Sequence, residues 1–244
     1  MTGEIAIIGY GRFGRLAARY IVKYRPVCVA DTRRTIRVEP TTERVSIKEA
    51  ASRRIILLAV PINKIRSAIG AIAPYLKPGT VVCDVCSVKE RPVQWMKKLL
   101  PKHTIILGTH PLFGPDSVSG GLKGKSIVLC PVRISPVKLR RIARFLKSHG
   151  LETHTMSAAK HDRLMAETLF LTQFIGHGLL TLRLPGPEIS TQNYRLLMHV
   201  AQTTGKDSDE LFRDMYQYNR YARQIPNRIM REFQKLREAL EGKR

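Results

Sequence analysis

"IAIIGYGRFGRLAARYI", residues 5–21, decides how the rest of the chain is read. Four apolar residues, Ile5, Ala6, Ile7 and Ile8, run into Gly9, Gly11 and Gly14, and a helical pattern follows. A strand, a glycine-spaced turn and a helix in that order make a dinucleotide-binding fingerprint. Gly9 permits the tight turn, Gly11 lets the backbone approach a pyrophosphate, and Gly14 lets the helix pack close to the strand. The pyrophosphate then meets free N–H groups at a helix N-terminus.

Working outward, short β-like runs over residues 4–9, 27–31, 54–60, 80–85, 104–108 and 126–131 alternate with helical stretches over 13–24, 62–76, 91–100 and 136–149. Such alternation predicts a parallel, doubly wound α/β sheet of Rossmann type. After Ser157 the pattern changes: a long apolar helix runs from Ala158 to about Leu184, "PGPE" at 185–188 breaks it, and two or three helices follow. The expected organisation is a dinucleotide-binding domain over residues 1–156 and an all-α domain over residues 157–244.

The bulk numbers narrow the function classes. Lys and Arg number 42 against 19 Asp and Glu, a formal charge of +23, so anions are the expected partners. The basic residues are spread along the chain rather than gathered in a tail or on one face, which argues against nucleic-acid binding. The four cysteines, Cys28, Cys83, Cys86 and Cys130, lie mostly in apolar segments and read as reduced core thiols. Cys83 and Cys86 form a lone C-x-x-C that no second pair or His cluster completes, so no metal site is expected. With no apolar run of about 18 residues and no N-terminal targeting pattern, the expected location is cytoplasmic and no membrane is involved.

The nucleotide site is read over Gly9, Tyr10, Gly11, Arg12, Phe13 and Gly14, with Val60 and Pro61 at the end of the third strand. The end of the second strand, "VCVADTRRT", bears on NAD against NADP. Asp31 suits the ribose 2′-hydroxyl of NAD, whereas Thr32, Arg33 and Arg34 suit a 2′-phosphate. Two further stretches, "CDVCSVKERP" at 83–92 and "LGTHPLFGPDS" at 107–117, place Ser87, Lys89 and His110 at carboxyl ends of strands, where open α/β sheets bind ligands. A histidine on such a loop is a candidate general base because its ordinary pKa lies near neutrality.

"GYGRFG", "DVCSVKERP", "GTHPLFGPDS", "HDRLMAETLFLTQFIG" (161–176) and "ELFRDMYQYNRYA" (210–222) together resemble the arogenate/prephenate dehydrogenases of tyrosine biosynthesis, particularly the plant-type arogenate branch. The resemblance implies a catalytic His110 that accepts the proton of the substrate's 4-hydroxyl as hydride leaves C4. Loss of CO2 then makes the ring aromatic. It implies that Ser87 hydrogen-bonds the same hydroxyl and that Lys89 steers or binds a carboxylate. Thr32 and Arg33 fall where NADP-using relatives carry Ser-Arg, so NADP is the expected cofactor, with NAD the alternative. The family's helical domain also makes a homodimer, and the long apolar helix suits that role.

Arogenate carries an ammonium where prephenate carries a keto group, and Asp116, just after the His110 loop, is a candidate acid for it. Asp116 is equally a turn residue or helix cap. Thr172 and Gln173 are the polar exceptions on the apolar helix, and Gln173 stands where prephenate-type members carry a His. His199 stands near the place of an Arg in those members. Thr172, Gln173 and His199 are therefore expected at the substrate. The alternatives are a prephenate dehydrogenase using NAD or NADP, and a non-catalytic basic nucleotide-binding module.

Overall fold

The computed structural model describes residues 5–33, 35–118, 120–184 and 186–242, so Arg34, one of the expected cofactor residues, lies outside it. The chain divides into two units, Met1–His161 and Asp162–Arg244. The division falls later than residue 156 because the first turn of a helix stays with the sheet through His161, whose ring bonds to His110.

The first unit runs β1 (Ile5–Ile8), α1 (Arg12–Ile21), β2 (Val27–Ala30), β3 (Glu43–Arg44), α2 (Ile47–Ala51), β4 (Ile55–Leu58), α3 (Ile65–Ile72), β5 (Val81–Asp84), α4 (Glu90–Leu99), β6 (Ile105–Pro111), β7 (Ser126–Arg133), α5 (Pro136–Ser148) and β8 (Glu152–Thr155). These strands form one sheet in the order β3-β2-β1-β4-β5-β6-β7-β8. The strands β1, β2, β4, β5 and β6 are parallel and buried, as their near-continuous apolar runs require.

The expected all-parallel sheet needs one correction: β7 pairs with β6 antiparallel. Between them, among the described residues, stands a loop whose regular structure is one short 3₁₀ turn, Pro115–Ser117, rather than the crossover helix that a parallel return requires. Two strands escape the apolar pattern altogether. Edge strand β3 is the exposed pair Glu43–Arg44, and edge strand β8 is the largely polar run Glu152–Thr155. Helix α2 was equally unannounced; it is short and opens on a capping box in which Ser46 accepts from the Glu49 N–H.

Two apolar clusters lie along one face of the sheet, with Leu57 packed against both. Ile7, Tyr10, Ala18, Val27 and Val29 pack under α1, and Val81, Leu107, Ile127, Leu129 and Leu151 pack with Leu139, Ile142 and Leu146 of α5. Ser135 caps α5 by accepting from Lys138 N–H, with Pro136 in the first turn.

The second unit continues α6 (Ala158–Met165) through a π-helical stretch, Ala166–Phe170, into α7 (Leu171–Thr181). Then follow α8 (Gln192–Thr204), α9 (Asp209–Tyr218) and α10 (Ile225–Leu240). Within this unit α7 and α8 approach closely where Gly176 meets Thr204, and a Cβ at Gly176 would overlap that side chain. Phe170 stacks on Phe212 at 5.6 Å, and Asn219 donates to the Asp162 carbonyl at 2.7 Å. Among the described residues no helix is long and apolar enough to cross a membrane.

Candidate active site

Strand order reverses at β1, which pairs with β2 on one side and β4 on the other. Ligands of open α/β sheets bind outside the carboxyl ends of strands at such a switch point. Along that edge, in spatial order, stand Asp31 and Arg33 after β2, the glycine loop after β1, Val60–Pro61 after β4, Ser87 after β5 and His110 as the second-to-last residue of β6.

The glycine loop fits a dinucleotide. Gly9 has φ +98°, and a Cβ there would lie 2.6 Å from the Ala59 carbonyl oxygen, so only glycine suits that position. A Cβ on Gly14 would overlap the Gly9 carbonyl. At Gly11 a Cβ would meet nothing within 4 Å: the space in front of the loop is open. Gly11 is also the N-cap of α1, and no side chain caps that end. The first-turn N–H groups are thus left for an anion.

Around this loop the side chains sort themselves. The Tyr10 ring is fully buried in the core beneath α1, so the expected cofactor contact is not made by its side chain; its backbone N–H donates to Asp31 Oδ2 at 2.7 Å. Asp31 also accepts from the Arg33 backbone and guanidinium at 2.8–2.9 Å. Those guanidinium bonds first, and the Tyr10 N–H after them, hold the Asp31 carboxyl well below the usual carboxylate range. The Asp31 side chain is only 6 % exposed and that of Arg33 is 56 % exposed, so the face offered outward is cationic. Thr32 is exposed beside them. Val60 packs its Cγ1 against Gly9, and Pro61 is exposed. Phe13 lies 6.4 Å from Phe113, ring to ring.

Two expected substrate contacts take other partners. Lys89 is fully buried, and its ammonium donates to Asp84 Oδ2 and, at 2.6 Å, to the Thr109 carbonyl. It ties β5 to β6 rather than meeting a ligand carboxylate. Thr109 completes the tie by donating its hydroxyl to the Asp84 carbonyl. Asp116 lies in the 3₁₀ turn and pairs with Arg12 at 2.5 Å, in an ion pair open to solvent.

His110 is the centre of this edge. Its ring is buried, and Nδ1 stands 2.8 Å from His161 Nε2. Among the described residues Nε2 of His110 has no hydrogen-bond partner. Burial foremost, then the nearby His161 and the Lys89 ammonium, push the His110 pKa well below 6.5, so the ring is a neutral base at physiological pH. Ser87, at the end of the adjacent strand, has a buried Oγ with no partner of its own among the described residues. An unpartnered hydroxyl and an unpartnered ring nitrogen at neighbouring strand ends are what a substrate alcohol would satisfy. The C-x-x-C has no part in this: both thiols are buried, and burial drives Cys83 up to about 12.

In the helical unit Gln173 is buried on α7, donates to Asp207 at 2.8 Å, and keeps a buried Oε1 unpartnered among the described residues. Thr172 is exposed and donates back to the Thr168 carbonyl at 2.9 Å, and His199 is exposed on α8. The pairs His110–His161 and Gln173–Asp207 were missed from the sequence. Each joins residues far apart in the chain, and no spacing signals either.

The family model "Prephenate dehydrogenase, nucleotide-binding domain" matches residues 26–154, and the model "TYRAAT1-like, C-terminal domain" matches residues 179–244. Arogenate dehydrogenase 1, chloroplastic, of Arabidopsis thaliana is 32% identical over 97% of this chain and 39% of its own length. Arogenate dehydrogenase 2, chloroplastic, of the same plant is 28% identical over 98% of this chain and 70% of its own length. The chain therefore spans about two-fifths of the first relative. Among solved structures, the prephenate dehydrogenase of Aquifex aeolicus in complex with hydroxyphenyl propionate and NAD+ superposes with TM-score 0.75 at 18% identity, over 100% of this chain and 93% of that one. At that identity the likeness speaks for the fold.

Proposed function

Since the chain belongs to the arogenate/prephenate dehydrogenase family, we propose that it oxidatively decarboxylates L-arogenate to L-tyrosine with hydride transfer to NADP. The observation that carries this reading is His110: a neutral imidazole on the ligand-binding edge, held at Nδ1 and unpartnered at Nε2. The bound nicotinamide supplies the hydride acceptor for the substrate's C4. His110 Nε2 takes the 4-hydroxyl proton as the C4–H electron pair departs, and Ser87 Oγ holds the same oxygen. Cleavage of the ring-to-carboxylate bond returns an electron pair to the ring and releases CO2. His110 then gives its proton back to the phenolate oxygen, so the protein ends as it began.

NADP is favoured by the outward cation at the end of β2, because the Asp31 carboxylate is spent on Tyr10 and Arg33. Arogenate is favoured by the relatives, since the two Arabidopsis thaliana proteins that this chain resembles are named arogenate dehydrogenases. Asp116, already paired to Arg12, no longer supports that choice.

A homodimer through the helical unit rests on α10, whose Met230, Phe233, Leu236 and Leu240 are all exposed at spacings of three or four residues. Those spacings put the four on one side of the helix. Free, buried cysteines suit a reducing compartment, in keeping with a cytoplasmic protein.

Turnover assays with arogenate and prephenate, each with NADP and NAD, test the reading, and reduced cofactor from arogenate with NADP is the expected outcome. No reduced cofactor in any of the four pairings overturns it. His110→Gln is expected to lower kcat by ~10²- to 10⁴-fold with the fold intact. Because only the unprotonated ring accepts a proton, wild-type kcat should stay level as the pH falls through 6.5, the ordinary imidazole value, and decline only well below it.

A further inference from the structure

The ring that touches His110 belongs to His161 on α6, and it is fully buried. The two rings meet edge to face, with centroids 5.1 Å apart and planes at 71°. Nitrogens 2.8 Å apart share one hydrogen: two N–H groups would collide and two lone pairs would repel. That single hydrogen has two homes. If it sits on His161, His110 must carry its own proton on Nε2 and cannot accept another there. If it sits on His110 Nδ1, the Nε2 lone pair is free to receive one.

We infer that His161 is a positioning residue for the reaction: its Nε2 accepts the Nδ1–H of His110 and so fixes the tautomer in which His110 Nε2 is the base. This rests on the assignment of His110 as general base. The same contact does a second job. When His110 takes up the substrate proton, the imidazolium keeps its Nδ1–H pointed at the buried His161 ring, and the transient charge is partly shared. Among the described residues, Lys89 also acts on His110 electrostatically, and its ammonium is committed to Asp84 and the Thr109 carbonyl. Among the described residues no carboxylate touches His110 to do the work an acid does for a catalytic histidine elsewhere, and the His161 imidazole takes that place.

The tests separate this role from packing. His161→Leu keeps most of the volume and removes the acceptor, whereas His161→Gln puts an amide oxygen near the position of Nε2. Leucine is expected to lower kcat on the order of 10²-fold with the KM for cofactor unchanged, and glutamine to recover most of the loss. Nitrogen-15 NMR of the histidine side chains, with the His110 signals assigned by their disappearance in His110→Gln, reads the tautomer without turnover. The wild type should show His110 protonated at Nδ1, and His161→Leu should move that proton to Nε2. An Nε2–H tautomer in the wild type overturns the inference, as does wild-type kcat in His161→Leu. Should the leucine variant not fold, the wild-type tautomer and the glutamine variant decide alone. Failure of all four substrate and cofactor pairings in the wild type would sink the proposed activity while leaving the tautomer result standing.

Discussion

The two ends of the ligand-binding edge are built on opposite electrostatic plans. At the β5–β6 end the Lys89–Asp84 pair is fully buried and roofed by Thr109 and His110. At the β1–β2 end the ion pairs Arg33–Asp31 and Arg12–Asp116 each present a guanidinium that is more than half exposed. A buried pair has nowhere else to go, because an unpaired charge in the interior is far more unfavourable than the pair itself. An exposed guanidinium exchanges one anion for another at little free-energy difference. On the proposed reading, the first arrangement holds a base in place and the second leaves cations ready for a phosphate.

The harshest test of this contrast is Lys89→Met, which strands the Asp84 carboxylate in the core. A loss of about 3–5 kcal/mol is expected, read from the midpoint of urea unfolding. The double variant with Asp84→Asn should regain much of it, since neither charge then remains. If Lys89→Met unfolds at the wild-type urea concentration, the buried pair is not what separates the two ends.

Next in size is Arg33→Ala. Losing a charge-assisted contact to a 2′-phosphate should raise the KM for NADP about 10-fold and leave that for NAD nearly unchanged. Thermal stability should move little, because the side chain is mostly solvated. Equal shifts for the two cofactors would mean that Arg33 is not reading the ribose, and the contrast between the ends would lose its functional meaning.

The same contrast explains what was legible in the sequence. The glycine loop could be read because its chemistry is local: three glycines within six residues, each needed for a backbone reason. The central strands could be read because burial on both faces forces continuous apolar runs such as Ile55–Leu58. Edge strands β3 and β8 could not, since an edge half in water needs no such run. Lys89 was misjudged for an equally physical reason: a lysine is rarely buried, and its partner Asp84 looks like an ordinary strand end until the fold closes over both. His161 and Asp162 stood out as matching the family's His-Asp pair, but the contact with His110 carried no signal, because that partner stands 51 residues earlier and only the packing of α6 brings the rings together. Local backbone chemistry was visible, and side-chain pairing across the fold was not.

The smallest expected effect belongs to Asp116→Asn, and it discriminates best. Arg12 opens α1 directly after Gly11, where a pyrophosphate would meet the helix N-terminus, and Asp116, in the 3₁₀ turn after β6, holds its guanidinium at 2.5 Å. A phosphate that engages Arg12 must displace that carboxylate. Exposed pairs contribute about 0.2–1 kcal/mol, so removing the competitor should lower the KM for cofactor by no more than about fivefold. Salt should erase the gain by screening both states alike. Had Asp116 been the partner of the arogenate ammonium instead, the same substitution would raise the KM for arogenate and leave the cofactor's unchanged. One variant assayed against both ligands therefore tells a competitor for phosphate from a selector of substrate.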